Sequence, residues 1–502
     1  MAVFKTFIAI FAVLACGVVA VAQPPVVHSA IGERVEVPGA LTITNVGKHQ
    51  QHDWRDRAKL DTDIFSPKIV NFHPDGSKYY VNSLEGCATV VYATSDNHKI
   101  KVIPHRFESG RGPLWSAPCG YYQFTHYPDG ESKAFSGKPV ESTFSHGGRY
   151  LWVPYYRRTF DLNAQDPSAI AIIDTRTDSI VRMMETGPLP KMITCSHDGR
   201  TVAVTHWGNN TVGLIDVSGD DPARWHHLPP VVVEKQLELN FSLTQEVNRD
   251  ANSGLLLRGT VFTPDDRYLL VGCMGGGGIA VVDVPKRRYL GKIGGISNAR
   301  HLIINHGYLY ASVNSAGLVQ RVPLDSVLEA IVRRQGSGIT LPCAWQVCKV
   351  GPGARTIEAS PSGRFIFAAC NSASALYVVD TRSMQAITHI PIDSYPVGLD
   401  ISRDGHLLVV TSQARNYQGG NAVNLLRVDY ADEDAEQQAV GAAEQPADSI
   451  ATSSTAHANG EHIPFWKKFG WVFDADHWPI SATIAVLVLI VAAFLISQRR
   501  RK

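Results

Sequence analysis

One motif recurs along this chain: a short apolar strand, a polar turn, a second apolar strand, then a third that ends in Asp. The turns are Asp75-Gly76, Gly147-Gly148, Asp198-Gly199, Asp265-Asp266, His306-Gly307, Ser362-Gly363 and Asp404-Gly405, seven in all. Such pairs accept the positive φ of a tight hairpin, and the β-branched runs on either side build its strands. The clearest copy spans 188–216. The third strand recurs as 170–174, 212–216, 279–283 and 376–380. One such unit cannot bury both its faces. Units set around an axis bury them and leave only short edges. The copies lie roughly 40 to 70 residues apart, too far for a linear β-solenoid. The pattern therefore predicts an all-β, seven-bladed β-propeller over 64–430, with one convincing helix at 326–334.

The strand ends Ile173-Asp174-Thr175-Arg176-Thr177 and Val379-Asp380-Thr381-Arg382, with the Ser-x-Asp-Gly-Arg turn at 196–200, resemble the YVTN-type β-propeller repeat. That family is similar to the cytochrome d1 and lactonase-like propellers. The resemblance covers about 64–430 and implies a seven-bladed ring. It also implies ligand binding at a channel mouth, as in related propellers. One fold hosts many activities, so the resemblance leaves the reaction open.

The two ends carry signals of their own. Residues 1–22 have the form of a secretory signal peptide: a lone Lys5, an apolar core, and Ala20-Val21-Ala22 before Gln23. Residues 23–63 form an N-terminal segment ahead of the repeats. At the other end 480–497 is uncharged and apolar, near the length of about 20 residues that spans a bilayer. Arg499, Arg500, Arg501 and Lys502 follow it, a cluster that stays on the cytoplasmic side. Trp466, Trp471 and Trp478 in 462–479 suit the headgroup region. Residues 431–461 are rich in Ala, Glu, Gln, Ser and Thr and read as a disordered stalk. The expected topology is a single-pass membrane protein, with the propeller extracellular or periplasmic and 498–502 in the cytoplasm. A net charge of +1 gives no nucleic-acid footprint.

Export makes disulfides chemically possible. Cys343 and Cys348 flank Ala-Trp-Gln-Val and are expected to pair locally; Cys87 with Cys119 is a weaker second pair. Cys195, Cys273 and Cys370 sit in apolar strands and read as buried thiols.

Aligning the turns exposes a further regularity. Eight residues before the second turn residue, with one deletion allowed, stand Lys68, Val140, Lys191, Arg258, Arg300, Arg355 and Val397. Five of these seven are basic, at the point where each blade's first strand enters. In a ring those strands surround the central channel, so the cations gather at one mouth. Two arrangements fit. The cluster binds an anion, for which arginine offers bidentate contacts. Alternatively Glu141, Glu358 and Asp400 neutralise it in a structural ion-pair belt.

Three functional readings follow. The first is an anchored propeller that binds an anionic small molecule, a glycan or a protein partner at the channel mouth. The second is an enzyme of lactonase or polysaccharide-lyase type on an anionic substrate, with His301, Glu358 or Asp400 handling the proton. The third is a redox protein with a non-covalent haem, as the cytochrome d1 resemblance allows; no Cys-x-x-Cys-His is present for covalent attachment. The cofactor is left open. No spacing among His126, His146, His197, His206, His226 and His227 demands a metal. Gly275 to Gly278 has no helix after it to supply a phosphate-binding terminus. No Gly-x-Ser-x-Gly or His-Glu-x-x-His occurs.

Overall fold

The computed structural model describes residues 26–50, 60–107, 114–116, 119–124, 134–161, 163–238, 254–415 and 418–443. The expected signal peptide, most of the stalk, the juxtamembrane segment, the span and the basic tail lie outside them. Among the described residues no helix is long and apolar enough to cross a membrane.

Among the described residues the strands form seven sheets, antiparallel except for one short parallel pairing of Gly338–Ile339 with Arg288–Ile293 in the fourth. The first blade is Pro67–Phe72, Lys78–Ser83, Ala88–Ala93 and Lys99–Pro104, in sequence order from inside to outside. The third (Pro190–Cys195, Thr201–His206, Thr211–Asp216, His226–Val232) and sixth (Ala354–Ala359, Phe365–Cys370, Ala375–Asp380, Gln385–Pro391) repeat this order. The fourth and fifth open with Leu257–Phe262 and Ala299–Asn305. In the second blade the short inner strand Thr143–Ser145 pairs with one half of Tyr150–Arg158, and Phe135–Pro139 pairs with the other half.

The second residue of every predicted turn has positive φ: Gly76, Gly148, Gly199, Asp266, Gly307, Gly363 and Gly405. Glycine takes that conformation without steric cost. Asp266, the exception, uses its carboxylate to accept from the backbone N–H groups of His197 and Asp198 in the neighbouring turn, each at 2.8 Å.

Among the described residues seven apolar clusters each bridge two adjacent blades, and they run around the whole circle. Val409, Val423 and Leu425 of the seventh blade pack with Val70, Tyr79 and Val81 of the first. The first packs on the second through Tyr80, Leu151 and Val153. The sixth packs on the seventh through Phe367, Leu376 and Leu408.

Closure is made by a strand that the repeat pattern does not contain. Leu41–Gln50 pairs antiparallel with Ala422–Tyr430, from Leu41 opposite Tyr430 to Gln50 opposite Ala422. Arg34–Val37 adds outside it. Within 23–63, read as an N-terminal segment ahead of the repeats, these two strands thus complete the seventh blade. The alternation of Leu41, Ile43 and Asn45 inward with Thr42 and Thr44 outward marks a strand, but no local signal names its partner.

Two further expectations are revised. The segment 431–461, read as a disordered stalk, begins with the helix Glu433–Ala443. Its Glu436 is buried and accepts from Ser362 N at 2.8 Å and from Ser360 Oγ at 3.3 Å, which ties that helix to the sixth blade. The stretch after Ser218, which the three-strand repeat leaves unassigned, holds the outer strand His226–Val232. The expected Cys343–Cys348 disulfide is absent, and both are free thiols. Cys348 lies opposite Val319 in the strand Gln346–Lys349 and faces the core, while Cys343 is exposed in the preceding loop. Strand pairing turns the two side chains to different environments. The predicted helix forms as Leu324–Arg333.

Candidate functional site

The inner strands share a local irregularity that aims their side chains. Antiparallel register breaks between Pro67 and Val70, Pro190 and Met192, Leu257 and Thr260, Ala299 and His301, Ala354 and Ile357, and Pro396 and Gly398. Each break contains Lys68, Lys191, Arg258, Arg300, Arg355 or Val397, the aligned position. A bulge leaves one residue unpaired and bends the strand, re-aiming a side chain. Two residues earlier the backbone is left-handed in all six: Ser66, Leu189, Leu256, Asn298, Gly353 and Tyr395, with φ between 49° and 80°. Five of these are not glycine, so the fold holds an uncommon conformation here repeatedly.

The five basic residues do converge. Burial, and then the charges of Arg355, Lys191, Arg258 and Arg300, hold the Lys68 ammonium well below the ordinary lysine range. Burial first, then Arg355 and Arg258, likewise lower the Arg300 guanidinium. Burial and Arg258 bring Arg355 down to about 10. All five lie deep in the molecule, and Lys68, Lys191 and Arg300 keep partial access to solvent. The two positions without charge, Val140 and Val397, are buried.

Their polar contacts are few. Arg258 Nη2 donates to Glu141 Oε1 at 3.1 Å. Lys68 Nζ donates to Gln413 Oε1 at 2.9 Å. Arg300 Nη1 lies 3.3 Å from Met274 Sδ, and its buried Nε has no hydrogen-bond partner among the described residues. The Lys191 ammonium sits 3.9 Å from the Tyr156 ring centroid and 5.1 Å from that of Trp207. Arg355 makes no side-chain hydrogen bond or ion pair among the described residues; Tyr395 and Glu141 are the groups whose charges oppose it. Lys68, Lys191, Tyr156, Tyr395 and Gln413 line an open cavity of about 670 Å³.

The other candidates fall elsewhere. Glu358 and Asp400 stand three residues further along their strands, about 10 Å deeper at strand rise. Neither pairs with a cation among the described residues. Instead they face each other: burial and the Asp400 charge push Glu358 up to about 8, and burial pushes Asp400 up to about 7. The ion-pair belt is therefore corrected to a single engaged carboxylate, Glu141. His301 is neutral, brought down to about 4 by burial and then Arg258, and its Nδ1 accepts from Ile357 N at 3.4 Å.

Three of the histidines outside the channel, His206, His146 and His197, have structural partners. His206 is buried, with Nδ1 2.8 Å from Thr211 Oγ1 and Nε2 accepting from Gly187 N at 3.1 Å. His146 stacks on Trp225, and His197 pairs with Asp266. Among the described residues no group of three or more His, Cys, Asp or Glu is placed to hold a metal ion.

Sequence spacing missed Tyr395, Tyr156, Gln413, Trp207 and Met274. Tyr395 occupies the left-handed position before the bulge, which holds a different residue type in each blade, so no repeating letter marks it.

The ring and its channel define a seven-bladed β-propeller. The chain is similar in structure to Kuenenia stuttgartiensis hydrazine synthase, with TM-score 0.50 and 12% identity over 75% of this chain and 99% of that one. A β-propeller domain from Myceliophteria thermophila matches with TM-score 0.49 and 12% identity, over 72% of this chain and 96% of that one. At these identities the likeness concerns the fold alone. No protein-family model matches the chain. No curated protein matches it by sequence.

Proposed function

We propose that the channel mouth binds a small anion and that this is what the propeller is for. One observation carries the reading: five cations converge on the cluster, with Glu141 the single carboxylate bonded to it among the described residues. Like charges held together at depth repel unless an opposing charge joins them. Arg355, with no described hydrogen-bond partner, and Arg300, with a buried unpartnered Nε, are the donors left to meet it. Membership of the YVTN-type repeat family is part of the same proposal, supported by the turn and strand-end motifs.

Export and anchoring complete the reading, on the strength of 1–22 and 480–497. The propeller would then meet its ligand outside the cytoplasm. Fractionation of cells making the full-length chain tests this. Recovery in the soluble cytoplasmic fraction would remove the anchor.

Calorimetric titration of the full-length protein with sulfate and with citrate tests the site. Binding should weaken as sodium chloride rises and should be lost in an Arg300→Gln, Arg355→Gln double variant that keeps its β-sheet circular dichroism. Equal binding by both proteins would overturn the assignment.

A further inference from the structure

Five cations share the channel mouth, and only two of them can shed a proton. Guanidinium groups stay charged at any pH a protein survives, so Arg258, Arg300 and Arg355 remain cations. Lys191 rests over the faces of Tyr156 and Trp207, rings that attract a cation. Lys68 has neither a ring nor a carboxylate. Among the described residues its ammonium nitrogen bonds to the neutral amide oxygen of Gln413. Gln413 Nε2 donates to Ser66 Oγ at 2.7 Å, which turns that amide so that its oxygen faces the amine. The backbone holds Lys68 in place as well: Thr411 Oγ1 donates to its carbonyl oxygen from the seventh blade. The amine opens on the cavity of about 670 Å³. Among the five, Lys68 is the group whose discharge relieves the cluster at least cost.

We propose that Lys68 is a nucleophilic amine that condenses with the carbonyl of a small anionic aldehyde or 2-oxo acid. This rests on the anion-site reading: arginine holds the carboxylate while the amine meets the adjacent carbonyl. The neutral nitrogen adds its lone pair to the carbonyl carbon, and the carbonyl oxygen, taking an amine proton, becomes a hydroxyl. Loss of that hydroxyl with the remaining N–H proton releases one water and leaves a C=N bond. No oxidant or reductant is consumed. A neutral lysine amine beside other cations suits this chemistry.

The test uses glyoxylate with cyanoborohydride on the full-length protein near neutral pH, followed by peptide mass mapping. The reductant fixes any imine as a stable secondary amine. Lys68 should be modified at least about tenfold faster than the exposed Lys101 and Lys286, because burial and the neighbouring cations leave more of its amine neutral. Acetaldehyde, which lacks the carboxylate, should show a smaller preference, the part due to the neutral amine alone, and excess sulfate should suppress glyoxylate labelling of Lys68 alone. Labelling of Lys68 no faster than Lys101 overturns the inference. Equal preference for acetaldehyde overturns the substrate class. Sulfate titration of the same sample separates the two readings: sulfate binding without the adduct removes the amine chemistry and leaves the anion site, and loss of both removes both.

Discussion

Arg258 Nη2 donates to Glu141 Oε1 at 3.1 Å, and both side chains are almost entirely buried. This pair joins the fourth blade to the second across the channel. It is the one ion pair that opposes the cluster among the described residues. Glu141→Gln keeps the shape and removes the charge. Stripping one partner from a buried pair costs about 3 to 5 kcal/mol. We expect that loss in urea unfolding, with sulfate restoring more stability to the variant than to the parent protein.

Arg355 should behave in the opposite way. It contributes repulsion to the cluster and makes no described hydrogen bond. Arg355→Met keeps an unbranched stem and removes a cation. The variant should be more stable by about 1 kcal/mol, the usual gain where function and stability conflict. It should bind sulfate at least about tenfold more weakly, the loss expected from one hydrogen bond to a charged group. Thermal unfolding and titration calorimetry check the two halves separately.

The carboxyl pair sets a pH dependence with a definite sign. Glu358 is raised to about 8 and Asp400 to about 7, above the values an unfolded chain would show. Groups shifted upward stay protonated in the fold. The stability they contribute is complete below the ordinary carboxylate range and is lost as pH rises through their folded values. Unfolding free energy should therefore fall from about pH 4, the ordinary carboxylate range, to about pH 8. Glu358→Gln should flatten that fall, because it also lets Asp400 ionise without a like charge beside it. Urea midpoints across this range decide it.

Ring closure depends on a strand far from its partner in sequence. Ile43 is fully buried in Leu41–Gln50, in the cluster shared with Leu408, Leu426 and Val428. An Ile43→Asp substitution places a charge in that core and should cost upward of about 4 kcal/mol. The same change at exposed Val46 should leave stability within about 0.5 kcal/mol. Equal effects at the two positions, in parallel denaturation curves, would mean that the strand does not close the ring.

Much of this site was legible because a ring converts sequence spacing into position. Seven turns set the phase of seven inner strands, and that phase put Lys68, Lys191, Arg258, Arg300 and Arg355 at one level. What the spacing could not show was direction. The bulges that turn those side chains inward depend on left-handed residues as unlike as Leu189, Gly353 and Tyr395. Partnership was equally hidden. Glu141 and Glu358 look alike one and three residues after an aligned position, yet one meets Arg258 and the other meets Asp400. The closing strand Leu41–Gln50 was hidden for a third reason, since it belongs to no repeat. The Cys343–Cys348 pairing failed because proximity in sequence says nothing of which face of a strand a thiol takes.

Anomalous diffraction from crystals of the full-length protein soaked in selenate would test the central claim most directly. A selenium peak inside the channel, in contact with Arg300 and Arg355 and within reach of Lys68, is the predicted result. Selenate found only on the outer surface, with the channel cations in contact with nothing but protein, would contradict it.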